Sequence, residues 1–186
     1  MASTSAISED GLFRDSLLSS TLTASLPPSC ILRPLRKSDY ASGFLDCIQL
    51  ISDVGSITEK AWNERYDWMA TKGEGTYYVV VIEYQGRVIG TGRLIVERKF
   101  GRSLGLAGLI KDVAIATDHQ GKDLGRMILE ALRHIAVELG CYKCILNCKP
   151  QNVGFYTKCG YENSGFEMAL YFGERTAAES ANKQNS

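Results

Sequence analysis

The sequence predicts an α/β fold, with a mixed, mostly antiparallel central sheet flanked by helices. Three observations carry this. Tyr77–Tyr84 and Val88–Glu97 are strand-like runs on either side of Gln85-Gly86, which reads as a hairpin. Leu109-Ile110-Lys111-Asp112-Val113-Ala114-Ile115-Ala116 is an apolar run that reads as a buried strand. After it, Leu124, Met127, Ile128, Ala131, Leu132, Ile135 and Leu139 recur at three- and four-residue steps, so they share one helix face.

The elements follow in order. Cys30–Leu35 reads as a first strand. Ser38-Asp39 caps a helix carrying Phe44, Leu45, Ile48 and Ile51, which Gly55 ends. A second helix starts near Thr58 and carries Trp62, Tyr66, Trp68 and Met69. Gly73-Glu74-Gly75 precedes the hairpin. Arg98–Gly105 is a loop with three basic residues, Arg98, Lys99 and Arg102. The strand 109–116 and the helix 122–139 come next, and Gly140 stops the helix. Cys141–Cys148 is mostly apolar, as a central strand would be. A short helix spans Gln151–Cys159, and Gly160–Phe172 completes the sheet. The order β-α-α-β-β-β-α-β-α-β gives one domain over 30–172. Residues 1–29 form an arm and 173–186 a disordered tail. Leu12-Phe13 and Leu17-Leu18 offer the arm a way to dock; otherwise it is flexible.

Composition excludes several classes. The 186 residues carry 21 basic and 21 acidic groups, which gives no electrostatic case for nucleic acid or a membrane surface. No run approaches the roughly 18 apolar residues of a membrane span. The N-terminal residues lack a basic start and a long apolar core, so a cytoplasmic protein is expected. The six cysteines are expected as free thiols there. Cys141 and Cys144 form a C-x-x-C pair. With no second pair, and with strand alternation placing them on opposite faces, core packing is the simpler reading, and no metal is expected.

Between the strand and the long helix lies Thr117-Asp118-His119-Gln120-Gly121-Lys122-Asp123-Leu124-Gly125-Arg126. The first N–H groups of a helix lack intrahelical partners, and the helix dipole adds positive potential there. Glycine lets an anion approach the backbone. A pyrophosphate on residues 121–126 is therefore physically reasonable. The same residues also suit a tight turn that binds nothing.

Gln120-Gly121-Lys122-Asp123-Leu124-Gly125 resembles the coenzyme A pyrophosphate loop of the GCN5-related N-acetyltransferases, with pattern Gln/Arg-x-x-Gly-x-Gly/Ala. Asp123 stands where many members have Gly. The segment Gly140–Cys148, followed by Gln151-Asn152-Val153-Gly154-Phe155-Tyr156-Thr157-Lys158-Cys159-Gly160-Tyr161, resembles the fungal glucosamine-6-phosphate N-acetyltransferase branch. The resemblance spans roughly Ile31 to Tyr171. It implies acetyl-CoA as cosubstrate and direct attack by an amino-sugar amine, expected to be that of glucosamine 6-phosphate, in a ternary complex.

The resemblance also assigns roles. The pyrophosphate goes to Gly121, Lys122, Asp123, Leu124, Gly125 and Arg126, and the pantetheine arm to the backbone of Val113, Ala114 and Ile115. The Val113 N–H faces the thioester oxygen. Asn152, Phe155 and Lys158 belong to the cofactor side. Tyr156 sits near the sulfur, where a phenol can donate to the leaving thiolate. Acceptor candidates are Asp53, Lys99, Arg102, Lys111, Asp112, Tyr142, Lys143, Asn147 and Tyr171, and Asp112 and Asn147 are also placed in the chemistry. A homodimer through the C-terminal strands is implied.

On the acceptor side this sequence departs from the branch. Relatives carry Glu where Lys111 stands and Asp or Glu where Asn147 stands. Both changes remove negative charge where a cationic amine must bind. The alternative function is a diverged paralogue with a changed acceptor, or one with little catalysis that binds acetyl-CoA as a sensor or scaffold.

Overall fold

The computed structural model describes residues 11–170 and Phe172. Two compact units divide at Leu146 and Asn147. The first contains a five-stranded sheet in the order β1 (Cys30–Pro34), β2 (Tyr77–Tyr84), β3 (Arg87–Arg98), β4 (Leu106–Ile115) and β5 (Cys141–Leu146). Neighbours from β1 to β4 run antiparallel, and β4 and β5 run parallel. The hairpin turn lies at Gln85-Gly86, both with positive φ (51° and 80°), which matches the right-handed twist of the flanking strands.

Chain order sets the helix labels. A short α1 (Ser20–Ala24) precedes β1, with Ser19 as its cap. Helices α2 (Phe44–Gln49) and α3 (Glu59–Thr71) lie between β1 and β2. Thr58 caps α3 by accepting the Ala61 N–H at 3.2 Å. A four-residue turn, α4 (Gly101–Leu104), joins β3 to β4. The long helix α5 (Leu124–Glu138) crosses from β4 to β5. Its apolar stripe is buried as the periodicity predicts, through Leu124, Met127, Ile128, Ala131, Leu132 and Ile135. It packs on β2, β3, β4 and β5. Gly140, at φ 81°, returns its N–H to the Val137 carbonyl and ends the helix.

Gly92 is where α5 meets the sheet most closely. A Cβ there would stand 2.4 Å from Ile128 Cγ2 and 3.0 Å from Leu132 Cδ1. Gly92→Ala is therefore expected to lower stability by about 1–3 kcal/mol through overpacking. Urea unfolding of the two forms measures this, and equal midpoints would contradict the packing.

Several expectations change. Ser38-Asp39 does not open the helix with Phe44. Lys37–Ala41 is a separate 3-10 turn, and Gly43 (φ 89°) breaks the chain before α2. Asp39 is buried and accepts a two-pronged bond from Arg33, at 2.7 and 2.8 Å, while Arg33 Nε donates to Glu83 at 2.8 Å. A buried carboxylate needs such partners. Of the arm, residues 1–10 lie outside the described residues; Leu12 and Phe13 are buried, the Phe13 ring lies 5.4 Å from that of Tyr78, and the Leu12 N–H donates to the Leu35 carbonyl.

The strand β5, expected to be central, is the edge of the sheet and only half-buried. No strand forms over 161–170 to flank it. In the second unit, Phe166, Met168, Leu170 and Phe172 alternate and are all exposed. The pattern suits a strand, but a strand without a ladder partner has nothing to satisfy its backbone or bury its apolar side. Among the described residues no helix is long and apolar enough to cross a membrane.

Candidate active site

One group of the first unit's site candidates lies on β4 and the turn after it. The pairing of β4 with β5 ends at Ile110↔Leu146, yet β4 continues to Ile115. From Lys111 onward, β4 has no β5 ladder on that side. Its other side stays paired to β3, at Thr91↔Ala114 and Gly90↔Ile115. The backbone of Val113, Ala114 and Ile115 thus lies along a strand held on one side only.

A bulge sits at the point of divergence. Arg93 pairs with Lys111 and Thr91 with Ala114, so Gly92 alone faces both Asp112 and Val113. Asp112 adopts φ 56°, the left-handed region, which Asp tolerates better than most residues. Its Oδ2 forms an ion pair with Arg93 Nη2 at 2.8 Å. Arg93 Nε is buried and, among the described residues, has no hydrogen-bond partner. The sequence reading passed over Arg93. Only the β3–β4 register, which brings residue 93 opposite residue 111, singles it out.

Downstream, Gly121 (φ 75°) and Asp123 (φ 64°) turn the chain into α5. Asp123 occupies the left-handed position at the start of α5, a conformation that glycine adopts most easily. Leu124 is buried and anchors the turn to the core, while Gly121 and Lys122 are exposed. No atom lies within 4 Å of a Cβ built at Gly121, so its backbone is open to a ligand. Arg126 donates to Asp123 Oδ2 at 2.7 Å through Nε and also pairs with Glu130. These hydrogen bonds hold its guanidinium above its already high ordinary pKa. Asp123 thereby brings a carboxylate into the turn and shares the Arg126 guanidinium with Glu130.

A second grouping forms around Tyr142 at the start of β5. The Arg102 guanidinium lies 5.6 Å and Lys143 Nζ 5.7 Å from its ring centroid. Lys99 Nζ bonds Glu97 Oε1 at 3.0 Å, and that bond raises its pKa. Arg102, Ser103 and Leu104 all adopt left-handed φ, at 56°, 54° and 62°. Such a run is strained, at about 1–2 kcal/mol per residue. The structure thus brings Arg102, Tyr142 and Lys143 together. Asp53 stands apart in chain and role: it is exposed, and its carboxylate accepts the Gly55 N–H at 3.0 Å within its own turn. Tyr171 lies outside the described residues.

The second unit holds the remaining candidates. Asn147 opens it. Pro150–Asn152 is a 3-10 turn leading into α6 (Val153–Lys158). Asn152, Phe155 and Lys158 are exposed on it, while Tyr156 is half-buried. The Tyr156 ring sits edge-on to Phe155 at 5.1 Å and to Tyr161 at 6.1 Å. Burial, followed by nearby Cys148 and Cys159, pushes the Tyr156 phenol above its ordinary value of 10. It therefore keeps its proton at neutral pH and can donate it.

Elsewhere, burial pushes the Cys47 and Cys144 thiols up to about 11. Both are thiols rather than thiolates at pH 8, which makes them poor nucleophiles. Cys148 is exposed. A limiting alkylating reagent at pH 8 is expected to label Cys148 well before Cys47 or Cys144, as read by peptide mass mapping.

The acetyltransferase (GNAT) family profile matches residues 45–161. The glucosamine 6-phosphate N-acetyltransferase of Candida albicans is 37% identical over 147 residues, spanning 79% of this chain and 99% of the relative. That of Arabidopsis thaliana is 35% identical over 143 residues, 76% of this chain and 95% of the relative. The crystal structure of glucosamine-6-phosphate N-acetyltransferase from Arabidopsis thaliana aligns with TM-score 0.75 at 34% identity, covering 77% of this chain and 99% of that one. The chain belongs to the GNAT acetyltransferase family.

Proposed function

We propose that the chain transfers an acetyl group from acetyl-CoA to the amine of an amino sugar, with glucosamine 6-phosphate as the acceptor. The observation that carries this reading is the one-sided stretch of β4 after Ile110↔Leu146, followed directly by the open turn at Gly121 and the start of α5. It offers peptide dipoles to an extended amide-bearing arm and unpaired helix N–H groups to a pyrophosphate. The relatives named above supply the acceptor class.

In this reading, Gly121 to Arg126 hold the pyrophosphate, and Val113, Ala114 and Ile115 hold the pantetheine. The Val113 N–H polarises the thioester carbonyl, as a fixed dipole aimed at developing charge. Asn152, Phe155 and Lys158 serve the donor. Asp112 accepts a hydrogen bond from the acceptor amine, and Asn147 does the same as a neutral group. Arg102, Lys99, Tyr142 and Lys143 form the basic cluster for the acceptor phosphate. Lys111 adds a further cation beside Asp112. Tyr156 protonates the departing thiolate. No covalent enzyme intermediate is required, because holding donor and acceptor together supplies the rate. Initial-rate lines at varied acetyl-CoA and acceptor are expected to intersect. Parallel lines would indicate an acetyl-enzyme and contradict direct attack.

The functional form is a homodimer. Phe166, Met168, Leu170 and Phe172 present an alternating exposed apolar row, and such a row marks an interface. Light scattering at micromolar concentration is expected to give twice the 20.5 kDa chain mass. A monomer would contradict it.

A further inference from the structure

We propose that Arg93 is a positioning residue for the acceptor: it fixes the Asp112 carboxylate on the acceptor face of the bulge. The role rests on the acetyl-transfer reading, which places Asp112 at the amine.

The geometry is set by the strand alternation. A Cβ on Gly92 would point at Ile128 and Leu132 of α5. Its neighbour Arg93 therefore projects from the face of the sheet away from α5. Lys111 lies directly opposite Arg93 in the register and shares that face. Val113 Cγ2 is 3.6 Å from the Gly92 Cβ position, so Val113 faces α5. In a regular strand, Asp112 would take the face opposite Lys111. The bulge and the left-handed φ of 56° instead let its carboxylate reach Arg93, on the Lys111 side.

Two consecutive β4 side chains, Lys111 and Asp112, thus emerge on one face, beside Arg93 of β3. The Asp112 side chain is 36% exposed and that of Arg93 27%. The carboxylate has room to meet a substrate while one of its oxygens is held. An unrestrained aspartate on a strained bulge would sample other rotamers and spend little time aimed at the amine. Arg93 restricts that freedom through its ion pair with the carboxylate, 2.8 Å from Nη2 to Oδ2.

The test uses the full chain with acetyl-CoA and glucosamine 6-phosphate, and compares Arg93→Gln, Arg93→Lys, Asp112→Asn and Arg93→Gln with Asp112→Asn. Arg93→Gln is expected to lower kcat/KM for the acceptor roughly tenfold, as coupled neighbours do. The KM for acetyl-CoA stays within about twofold, since Arg93 acts on the acceptor side. Arg93→Lys recovers part of the loss by keeping the charge. On the Asp112→Asn background, Arg93→Gln has almost no further effect, because the group it positions is already altered. Should Arg93→Gln melt below assay temperature, the comparison is read from Arg93→Lys, expected to show a smaller loss that likewise vanishes with Asp112→Asn.

An unchanged or higher kcat/KM in Arg93→Gln would overturn the proposal. So would an equal loss on both backgrounds, which would mark a purely structural role. Wild-type turnover together with either result sinks only the role of Arg93. A wild-type chain inactive on every amino sugar sinks the acetyl-transfer reading and this inference with it.

Discussion

Replacing Tyr156 with Phe is expected to lower kcat about a hundredfold or more, the range that a general acid contributes. The change removes one oxygen and leaves the ring contacts to Phe155 and Tyr161 in place. Packing is preserved, so the KM values should move little, and the loss should fall on kcat, as for a group that acts at the transition state. The pH dependence supplies a second reading. Burial raises the phenol above 10. Its proton is thus present throughout the neutral range and is lost only as pH rises beyond the ordinary phenol value. In wild type the acid-assisted step should persist to high pH and fall off on an alkaline limb above about 10. That limb should be absent in Tyr156→Phe. If Tyr156→Phe retained wild-type kcat, the leaving thiolate would need no acid from this residue.

The second large effect concerns charge on the acceptor side. The resemblance implies Glu at the position of Lys111 and Asp or Glu at that of Asn147. The structure adds that Arg93 shares the Lys111 face, so two cations accompany one carboxylate there. At an effective dielectric near 20, unit charges ~4 Å apart interact by about 4 kcal/mol. Solvent reduces this, but a tenfold rate change needs only about 1.4 kcal/mol. The double variant Lys111→Glu with Asn147→Asp is therefore expected to raise kcat/KM for glucosamine 6-phosphate at least tenfold. Steady-state kinetics on both forms checks it. Equal, high activity before and after would show that these two positions do not set the field at the amine.

Much of the scaffold was legible because it depends on local rules. The α5 stripe, the Gln85-Gly86 turn, the Thr58 cap and the Gly140 stop each follow from residue type and spacing. What was not legible depends on pairing across the sheet. The bulge at Asp112 is invisible in a run of apolar residues, since only the register with β3 shows that Gly92 faces two residues. Arg93 reads as an ordinary strand residue until that register is known. Arg102 to Leu104 gave no glycine signal for their left-handed turn. The alternation at Phe166 to Phe172 correctly describes a strand-competent segment, but competence is not pairing, and residues 161–170 form no strand. Cys141–Leu146 reads as buried from composition, yet an edge position depends on which strands come next to it.

The site was legible in part for the same reason. The turn at Gly121 to Arg126 is a contiguous motif, and its open backbone and helix start appear where the spacing places them. Arg102, Tyr142 and Lys143, by contrast, meet only because β4 and β5 run parallel from Leu106↔Cys141 onward. The clamp of Arg126 by Asp123 and Glu130 is a helix-surface contact that the spacing permits but does not require.

The central claim is that acetyl-CoA donates to an amino-sugar amine on this chain. Thiol release from acetyl-CoA, followed with glucosamine 6-phosphate and with glucosamine, and matched to the mass of the product, tests it most directly. The account predicts acceptor-dependent thiol release with stoichiometric N-acetylated sugar phosphate, and a weaker response to the sugar without phosphate. Tight acetyl-CoA binding with no acceptor-dependent release from any amino sugar would contradict it and would leave a binding protein in place of an enzyme.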